Sequence, residues 1–308
     1  GVFTCLSWRN SVGLIDWLDV TGTSLGTLGE PGRYRLFAIS PDKRRVAVET
    51  FDEEHGYDIG TMDVARGVAC RVTSDPGNER DPVWSPDSQE LLFTSNGSGN
   101  DDVLRISLRG SEAPSSLPSG AGATPGRRDI AEGWLSEGNT ALFLTLGSER
   151  AVWMVSLDGD EPAEPLAANR QIDEPHVSPD GRWLAYISSE SERQEVYVEP
   201  FRESGETVRI SPDGGGQPRW RGDGKELFYL SLDGRLMAVD VREGASGLEV
   251  GIPRVLMPAN ELRAVVQGPD YDDYAVSADG QRFLVKRSLE TDTRQRIHVL
   301  LDWPSLLE

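Results

Sequence analysis

Short apolar segments and turn-forming residues alternate along the chain in a repeating order. Each unit has an apolar strand that ends in Trp or Val, a turn related to Ser-Pro-Asp-Gly, and a second strand rich in β-branched and aromatic residues. In such a turn Pro presets φ, and the Asp side chain forms hydrogen bonds with its own backbone. The six copies of the unit are AISPDKRRVAVET (38–50), VWSPDSQELLFTS (83–95), GWLSEGNTALFLT (133–145), HVSPDGRWLAYIS (176–188), RWRGDGKELFYLS (219–231) and AVSADGQRFLVKR (275–287).

The spacing of these units predicts the fold. Their shared acidic column is Asp42, Asp87, Glu137, Asp180, Asp223 and Asp279, with successive separations of 45, 50, 43, 43 and 56 residues. A period in the forties that carries turn signals is typical of a propeller array. A third strand follows each unit and a weaker fourth strand closes most of them, as at 68–73 and 207–211. The pattern predicts an all-β protein in which residues 1–308 form one domain, a six-bladed β-propeller of four-stranded antiparallel blades.

The two ends of the chain bear on how the ring closes. Residues 14–20 have the pattern of a third strand, and residues 2–8 have that of a second strand before it. We expect these N-terminal strands to pair beside the C-terminal strand at 297–303, because a propeller hides its strand edges in this way. The alternative is a seven-bladed ring, in which the chain is a fragment of a longer protein and a seventh blade is partly built.

Charge narrows the range of partners. The chain has 51 Asp and Glu against 31 Lys and Arg, for a formal charge of −20. Nucleic acids and anionic membrane surfaces require basic patches, so this composition argues against both. No apolar run approaches the roughly 18 to 20 residues of a membrane helix, so we expect no direct membrane insertion. The two cysteines, Cys5 and Cys70, lie outside any C-x-x-C motif, which argues against a thiolate metal site.

The repeat resembles the WD-like propeller repeat with an S-P-D-G core found in TolB-type propellers. A closer resemblance is to the propeller region that follows the membrane helix in bacterial serine/threonine protein kinases. The stretches that carry it include DPVWSPD (81–87), GQPRWRGDGKELFYLSLDGRLMAVDV (216–241), LEVGIPRVL (248–256) and IHVLLDWP (297–304). The resemblance implies a sensor or interaction module outside the cytoplasm. The chain has no kinase domain, because a Gly-rich loop, a catalytic loop and D-F-G are all missing from it.

The strand before each turn is the candidate site, because the innermost strand of a propeller blade lines the central channel and its side chains alternate. Six positions before the acidic column are Leu36, Asp81, Ala131, Glu174, Gln217 and Asp273. Four positions before it are Ala38, Val83, Gly133, His176, Arg219 and Ala275. We expect the column between them to face the packing side. The polar residues predicted at or close to the axis are Asp81, Asp129, Glu132, Glu174, His176, Gln217, Arg219 and Asp273.

Two functions fit these residues. The first is a non-catalytic propeller that binds a protein, a peptide or a small molecule over its channel face. The ligand-binding residues in this hypothesis are Asp129, Glu132, Gln217 and Arg219. The second is a metal-dependent hydrolase of esters, lactones or phosphotriesters, with calcium or zinc as the cofactor. Its predicted metal ligands are Asp81, Glu174, His176 and Asp273, and His176 is also the predicted general base.

Two simpler interpretations stand beside these hypotheses. The channel acids could form salt bridges with Arg35, Arg80 or Arg219 in a water-filled polar channel without a ligand. The stretch Gly22-Thr23-Ser24-Leu25-Gly26 matches the G-x-S-x-G nucleophile elbow, which needs a helix after the serine. A second strand follows instead, so we interpret this stretch as a hairpin turn.

Overall fold

The computed structural model describes residues 12–110, 112–118, 127–135, 139–147, 150–159, 161–168, 171–244, 247–258 and 274–289. In these ranges the chain forms strands β1 to β25 and no helix. Accordingly, the described part of the chain contains no helix long and apolar enough to cross a membrane.

The strands form six antiparallel sheets, which are the blades. The strands of each blade are given in order from the innermost to the outermost. Blade one is β3 (Tyr34–Ile39), β4 (Arg45–Asp52), β5 (Gly56–Asp63) and β6 (Ala69–Arg71), and blade two is β7 (Glu79–Trp84), β8 (Glu90–Ser95), β9 (Asp102–Ser107) and β10 (Ser115–Ser116). Blade three is β11 (Arg128–Leu135), β12 (Thr140–Leu146), β13 (Ala151–Ser156) and β14 (Glu164–Ala168), and blade four is β15 (Asp173–Val177), β16 (Trp183–Ser188), β17 (Glu195–Pro200) and β18 (Val208–Arg209). Blade five is β19 (Gly215–Trp220), β20 (Glu226–Ser231), β21 (Leu236–Gly244), β22 (Gly247–Val250) and β23 (Arg254–Met257). Blade six is β24 (Tyr274–Val276), β25 (Arg282–Ser288), β1 (Gly13–Asp19) and β2 (Ser24–Gly32). The prediction of an all-β, six-bladed propeller is confirmed.

Blade six closes the ring with strands from both ends of the chain. Strand β1 pairs antiparallel with β25, from Gly13 opposite Ser288 to Asp19 opposite Arg282, and β2 is the outer strand. The N-terminal segment therefore occupies the third and fourth positions of this blade. The segments at 2–8 and 297–303, for which strands were also predicted, lie outside the described residues.

Blade five departs from the four-stranded pattern. Strand β21 has nine residues, and its first half pairs with β23, which takes the usual fourth position. Its second half, from Val241 to Gly244, pairs with β22 in a separate hairpin. This blade therefore carries an additional strand.

The described turn acids have the scaffold role expected of them, whereas Glu137 of blade three lies outside the described residues. In blade two, Ser85 Oγ donates to Asp87 Oδ1 at 2.7 Å, and the same carboxylate accepts from the backbone N–H of Gln89 at 3.0 Å. The hydrogen bond from Ser85 is the main cause that holds the pKa of Asp87 below its usual value. The same Ser-to-Asp bond recurs in blades one, four and six.

Apolar side chains fill the space between neighbouring blades. Leu227, Val239 and Val241 of blade five pack against Val196 and Val198 of blade four, and each of them is at most 3% exposed. Burial of apolar surface of this kind is the main favourable term in folding.

Two tryptophans add directional contacts between blades. Trp84 Nε1 donates to the carbonyl of Ala38 in blade one at 2.9 Å, and Trp220 Nε1 donates to the carbonyl of His176 in blade four at 3.0 Å. The Trp at the end of a channel strand therefore ties that strand to the preceding blade. In blade three, Trp134 Nε1 donates instead to Asn139 Oδ1 at 2.8 Å.

The G-x-S-x-G stretch is a hairpin turn between β1 and β2, as expected. Asp19 Oδ1 accepts from the backbone N–H groups of Thr21 and Thr23 at 2.8 and 2.9 Å. Ser24 begins strand β2, so no helix follows it to form a nucleophile elbow.

Candidate functional site

The innermost strands of the blades surround an axial cavity of about 380 Å³. All six blades contribute to its wall, mainly through β3, β7, β11, β15, β19 and β24, with Pro41 after β3 and Leu142 of β12 in addition. The polar side chains of the wall are Asp81, Glu132, Glu174, His176 and Arg219.

The remaining predicted site residues lie elsewhere. Gln217 is 1% exposed and Asp129 is 4% exposed, and neither belongs to the cavity wall. Asp273 lies outside the described residues. Glu132, predicted close to the axis although it stands in the column expected to face the packing side, contributes to the wall. A bulge in β11 between Ala131 and Gly133 shifts the alternation of side chains there.

Three channel strands share an uncommon backbone feature. Asp81, Glu174 and Gln217 have φ values of 56°, 47° and 53°, in the left-handed region that non-glycine residues rarely adopt. Each lies in a bulge of its strand, where pairing with the next strand slips. Each is followed by a proline, which has no N–H, so the bulge leaves one fewer donor to satisfy. Blades one and three have a bulge in the same region, but their residues at this position, Leu36 and Ala131, have no positive φ.

Glu174 links blade four to blade five. It is 4% exposed, and its Oε2 accepts from the backbone N–H of Gln217 at 2.7 Å. The carbonyl of Gln217 accepts in turn from Tyr274 Oη at 2.7 Å, which continues the link to blade six. One oxygen of the predicted metal ligand Glu174 therefore has a scaffold role.

His176 faces Arg219 across the boundary between blades four and five. Arg219 Nη1 contacts His176 Nε2 and also donates to the carbonyl of Pro218 at 2.9 Å. The guanidinium lies 6.0 Å from the ring centroid of Tyr274. Burial, and then the charge of Arg219, hold the pKa of His176 well below its ordinary value. The imidazole is therefore neutral near pH 7, with Nε2 as the acceptor and the proton on Nδ1.

Asp129 has a structural environment at the start of β11. Its carboxylate accepts from Arg127 Nε at 2.8 Å and from Thr145 Oγ1 at 2.7 Å, and burial raises its pKa. In blade two the corresponding residue is Glu79, which accepts from Ser95 Oγ at 3.0 Å. Both acids therefore tie the start of a channel strand to the end of the next strand.

The described side chains do not assemble a metal site by themselves. No group of three or more His, Cys, Asp and Glu residues suited to a metal ion occurs in the described ranges. The contact of His176 Nε2 with a guanidinium also places a positive charge at the nitrogen that would bind the ion. The four-ligand set stays a prediction, because Asp273 is outside the described residues.

Glu49 is a buried acid that sequence reasoning missed. It is 0% exposed in β4, and it accepts from Arg35 Nη1 at 3.0 Å and from the backbone N–H of Asp81. Burial is the main cause that raises its pKa to about 8. In the sequence, Glu49 could have been noticed as an acid directly after the apolar residues Val46-Ala47-Val48. The equivalent residue of blade two is Thr94.

Sequence comparison finds relatives over part of the chain. No family model matches it. A tricorn protease homolog of Streptomyces coelicolor is 30% identical over 130 residues, which are 40% of this chain and 11% of that protein. A TolB homolog of Chlorobium luteolum is 26% identical over 133 residues, which are 43% of this chain and 29% of that protein. An uncharacterised peptidase of Bacillus subtilis is 27% identical over 160 residues, which are 51% of this chain and 22% of that protein. The chain therefore matches less than a third of the length of each of these relatives.

Structural comparison extends over nearly all of the chain. A putative TolB from Agrobacterium tumefaciens superposes with a TM-score of 0.66 at 16% identity, covering 91% of this chain and 99% of that one. A puromycin-hydrolysing peptidase of Mycobacterium tuberculosis gives a TM-score of 0.60 at 19% identity, covering 90% of this chain and 46% of that one. Likeness at these identities shows the fold alone. The chain is thus a six-bladed β-propeller that has TolB-type propellers among its structural neighbours.

Proposed function

We propose that this propeller is a non-catalytic binding module that takes a peptide, a segment of a partner protein or a small ligand in its axial cavity. The observation that carries the proposal is the cavity itself, which all six blades line. The turn residues, which build the scaffold, are similar in all six units. The residues of the channel strands differ from one blade to the next. A concave site with a few polar groups among apolar ones is typical of ligand binding.

The wall has the composition that such a ligand requires. Apolar and proline side chains, including Val83, Trp84 and Pro175, provide surface for contact. The acids and the guanidinium of the wall provide a small number of groups that orient a ligand. In this role Glu132 and Arg219 contact the ligand, whereas Gln217 and Asp129, which are buried outside the wall, hold the channel strands in position.

A selection experiment tests the proposal. Peptides are selected from a random library displayed on phage against the immobilised protein, and their affinities are measured by isothermal titration calorimetry. Glu132→Lys places a longer side chain of opposite charge in the wall, and we expect it to weaken binding at least tenfold. Glu161→Lys, an exposed acid outside the cavity wall, makes the same change of charge and leaves binding unchanged. Equal affinities of the two variants would contradict binding in the cavity.

The resemblance to kinase propellers supports a more specific setting. We propose that the module works as a sensor outside the cytoplasm, in the periplasm or at the cell surface. Protease added to intact cells, to cells with a permeabilised outer membrane and to lysed cells tests this location, because a propeller at the cell surface is cleaved in intact cells and a periplasmic one is cleaved once the outer membrane alone is permeabilised. Protection until the cytoplasm is opened would refute it.

A metal-dependent hydrolase is the second proposal, and it has weaker support. Peptidases are among the relatives of the chain, but its matches cover only part of them. The reaction would need His176 as base, and Arg219 occupies the Nε2 side of that ring. Metal analysis of the purified protein and a panel of chromogenic ester, lactone and phosphotriester substrates test it. Absence of bound calcium or zinc, with hydrolysis the same in His176→Ala as in the wild type, would refute this proposal.

A further inference from the structure

The channel strands have one level at which every blade contributes to the cavity wall. The residues four positions before the turn acids lie on the wall in all six blades: Ala38, Val83, Gly133, His176, Arg219 and Ala275. Four of them, in the neighbouring blades six, one, two and three, are small or apolar. The two polar side chains stand together in blades four and five. At this level the wall is therefore apolar on one side and has its hydrogen-bonding groups on the other.

His176 is held at two points. Its carbonyl accepts from Trp220 Nε1 at 3.0 Å, and its Nε2 contacts Arg219 Nη1. Because a guanidinium can only donate, Nε2 is the acceptor and the proton of the neutral ring lies on Nδ1. Burial, and then the charge of Arg219, lower the pKa of His176 and keep this neutral form near pH 7. The contact with Arg219 thus selects one tautomer of the ring.

The Nδ1–H group of His176 is a donor on the cavity wall. The side chain is partly exposed there, and Nδ1 is not an enclosed atom. Among the residues that the structure describes, none forms a hydrogen bond with Nδ1. When a ligand fills the cavity this donor loses its contact with water, which is unfavourable unless the ligand supplies an acceptor. Such a donor therefore discriminates against ligands that carry no acceptor at this position.

From these contacts we infer that His176 is a specificity-determining residue of the axial cavity, and that its Nδ1–H donates to a carbonyl or carboxylate oxygen of the ligand. A peptide supplies a carbonyl oxygen at every residue and a carboxylate at its C-terminus. The small and apolar residues of the same level, such as Val83 and Ala275, would contact an apolar group on the other side of the ligand. The inference rests on the proposed function and adds the ligand chemistry at one level of the wall.

Two substitutions separate this role from a purely structural one. The amide of His176→Asn can place an N–H where Nδ1 stands, but it has no group at the position of Nε2. His176→Gln can reach Arg219 with its amide oxygen, but it loses the donor at Nδ1. For the peptides selected on the wild-type protein, calorimetry should show an affinity within about threefold of the wild type for His176→Asn and at least roughly fivefold weaker for His176→Gln. His55→Gln changes a histidine outside the wall and should leave binding unchanged.

Modified peptides identify the oxygen that is bound. A thioamide weakens one backbone carbonyl as an acceptor, amidation removes the C-terminal carboxylate, and alanine removes side-chain acids and amides. We expect one of these changes to weaken binding at least roughly fivefold to the wild type and less than about twofold to His176→Gln. Equal affinities of His176→Asn and His176→Gln would overturn the inference. The reverse order of the two variants would also overturn it, because the ring would then serve only to position Arg219.

A measurement on the wild-type protein needs no substitution at the site. Long-range ¹H–¹⁵N NMR distinguishes the two neutral tautomers, and the signals of His55 and His298 are identified by substitution of those residues. We expect His176 to carry its proton on Nδ1, and the Nδ1 resonance to shift when a selected peptide binds. A proton on Nε2, or an Nδ1 resonance that does not change on binding, would refute the inference, while peptide binding that is weakened by Glu132→Lys would leave the proposed function standing. Failure to obtain any peptide that binds the cavity would refute both.

Discussion

Closure of the ring by the N-terminal strand can be tested at Ile15. This residue lies in β1 and is 0% exposed, and it belongs to an apolar cluster between blades six and one that includes Leu28, Phe37 and Leu284. If β1 pairs with β25 in solution, Ile15→Ala must create a cavity at this boundary. If β1 does not take part in closure, the side chain is in water and its truncation has little effect.

The expected size of the effect follows from burial. Ile15→Ala deletes three carbon atoms, and at about 0.8 kcal/mol for each buried group their transfer to water costs about 2.4 kcal/mol. The cavity left behind raises the total to roughly 3–4 kcal/mol. Ile252 provides the matched control, because it is 90% exposed and the same substitution there should change the free energy of unfolding by less than about 0.5 kcal/mol.

Urea unfolding followed by circular dichroism measures both variants against the wild type. With equal m-values, the midpoint of Ile15→Ala should fall well below that of Ile252→Ala. Equal midpoints for the two variants would show that β1 is not part of the folded ring. A reduced m-value for Ile15→Ala would instead indicate that blade six opens while the other blades stay folded.

Three further predictions concern the scaffold. Trp220→Phe removes the hydrogen bond to the carbonyl of His176, and urea unfolding should show a free energy of unfolding lower by about 1–2 kcal/mol. Trp84→Phe should give a similar loss at the boundary between blades one and two. An unchanged free energy of unfolding in both variants would contradict the role of these hydrogen bonds. Asp180→Ala removes the turn bonds of blade four and should lower stability by about 1 kcal/mol, measured in the same way, whereas an unchanged midpoint would show that the turn does not need its acid. Burial raises the pKa of Glu79 to about 7, so the folded protein binds a proton that the unfolded chain has released above pH 4.5, and stability from this group falls as the pH rises from about 5 to 7. Unfolding between pH 5 and 8 should therefore show a shallower decline in Glu79→Gln than in the wild type, and identical profiles would refute the assignment.

Much of the scaffold could be predicted because it is local. The turn units combine Pro, Asp and alternating strand residues within about a dozen positions, and six copies at a regular spacing indicate the propeller. The third strands were also found, because β5, β9, β13 and β17 have the expected apolar alternation. The additional strand of blade five was missed. Strands β22 and β23 pair with different halves of the long strand β21, and no turn unit of the repeat precedes either of them.

The candidate site was predicted only in part, for reasons that are also physical. The alternation of side chains placed Asp81, Glu174 and His176 towards the axis, and the structure has all three on the cavity wall. The bulges changed the alternation for Glu132, because one extra residue reverses which side a neighbour faces. A period-two rule cannot locate such a bulge, although the Xaa-Pro pairs of blades two, four and five accompany it.

The architecture of this protein, an all-β ring of six repeated units with acidic turns, can be predicted from the amino-acid sequence alone. Those properties depend on residues close together along the chain, and so they can be inferred from local pattern. The contacts between acidic and basic side chains of different blades became known only from the three-dimensional arrangement of the blades. Glu174 accepts a hydrogen bond from the backbone of the next blade, Arg219 contacts His176, and Glu49 is buried close to Asp81. Each of these contacts joins residues at least 32 positions apart, so local sequence pattern does not predict it. The amino-acid sequence gives the charge of each side chain, whereas the packing of one blade on another determines how far that side chain is buried and which groups it contacts.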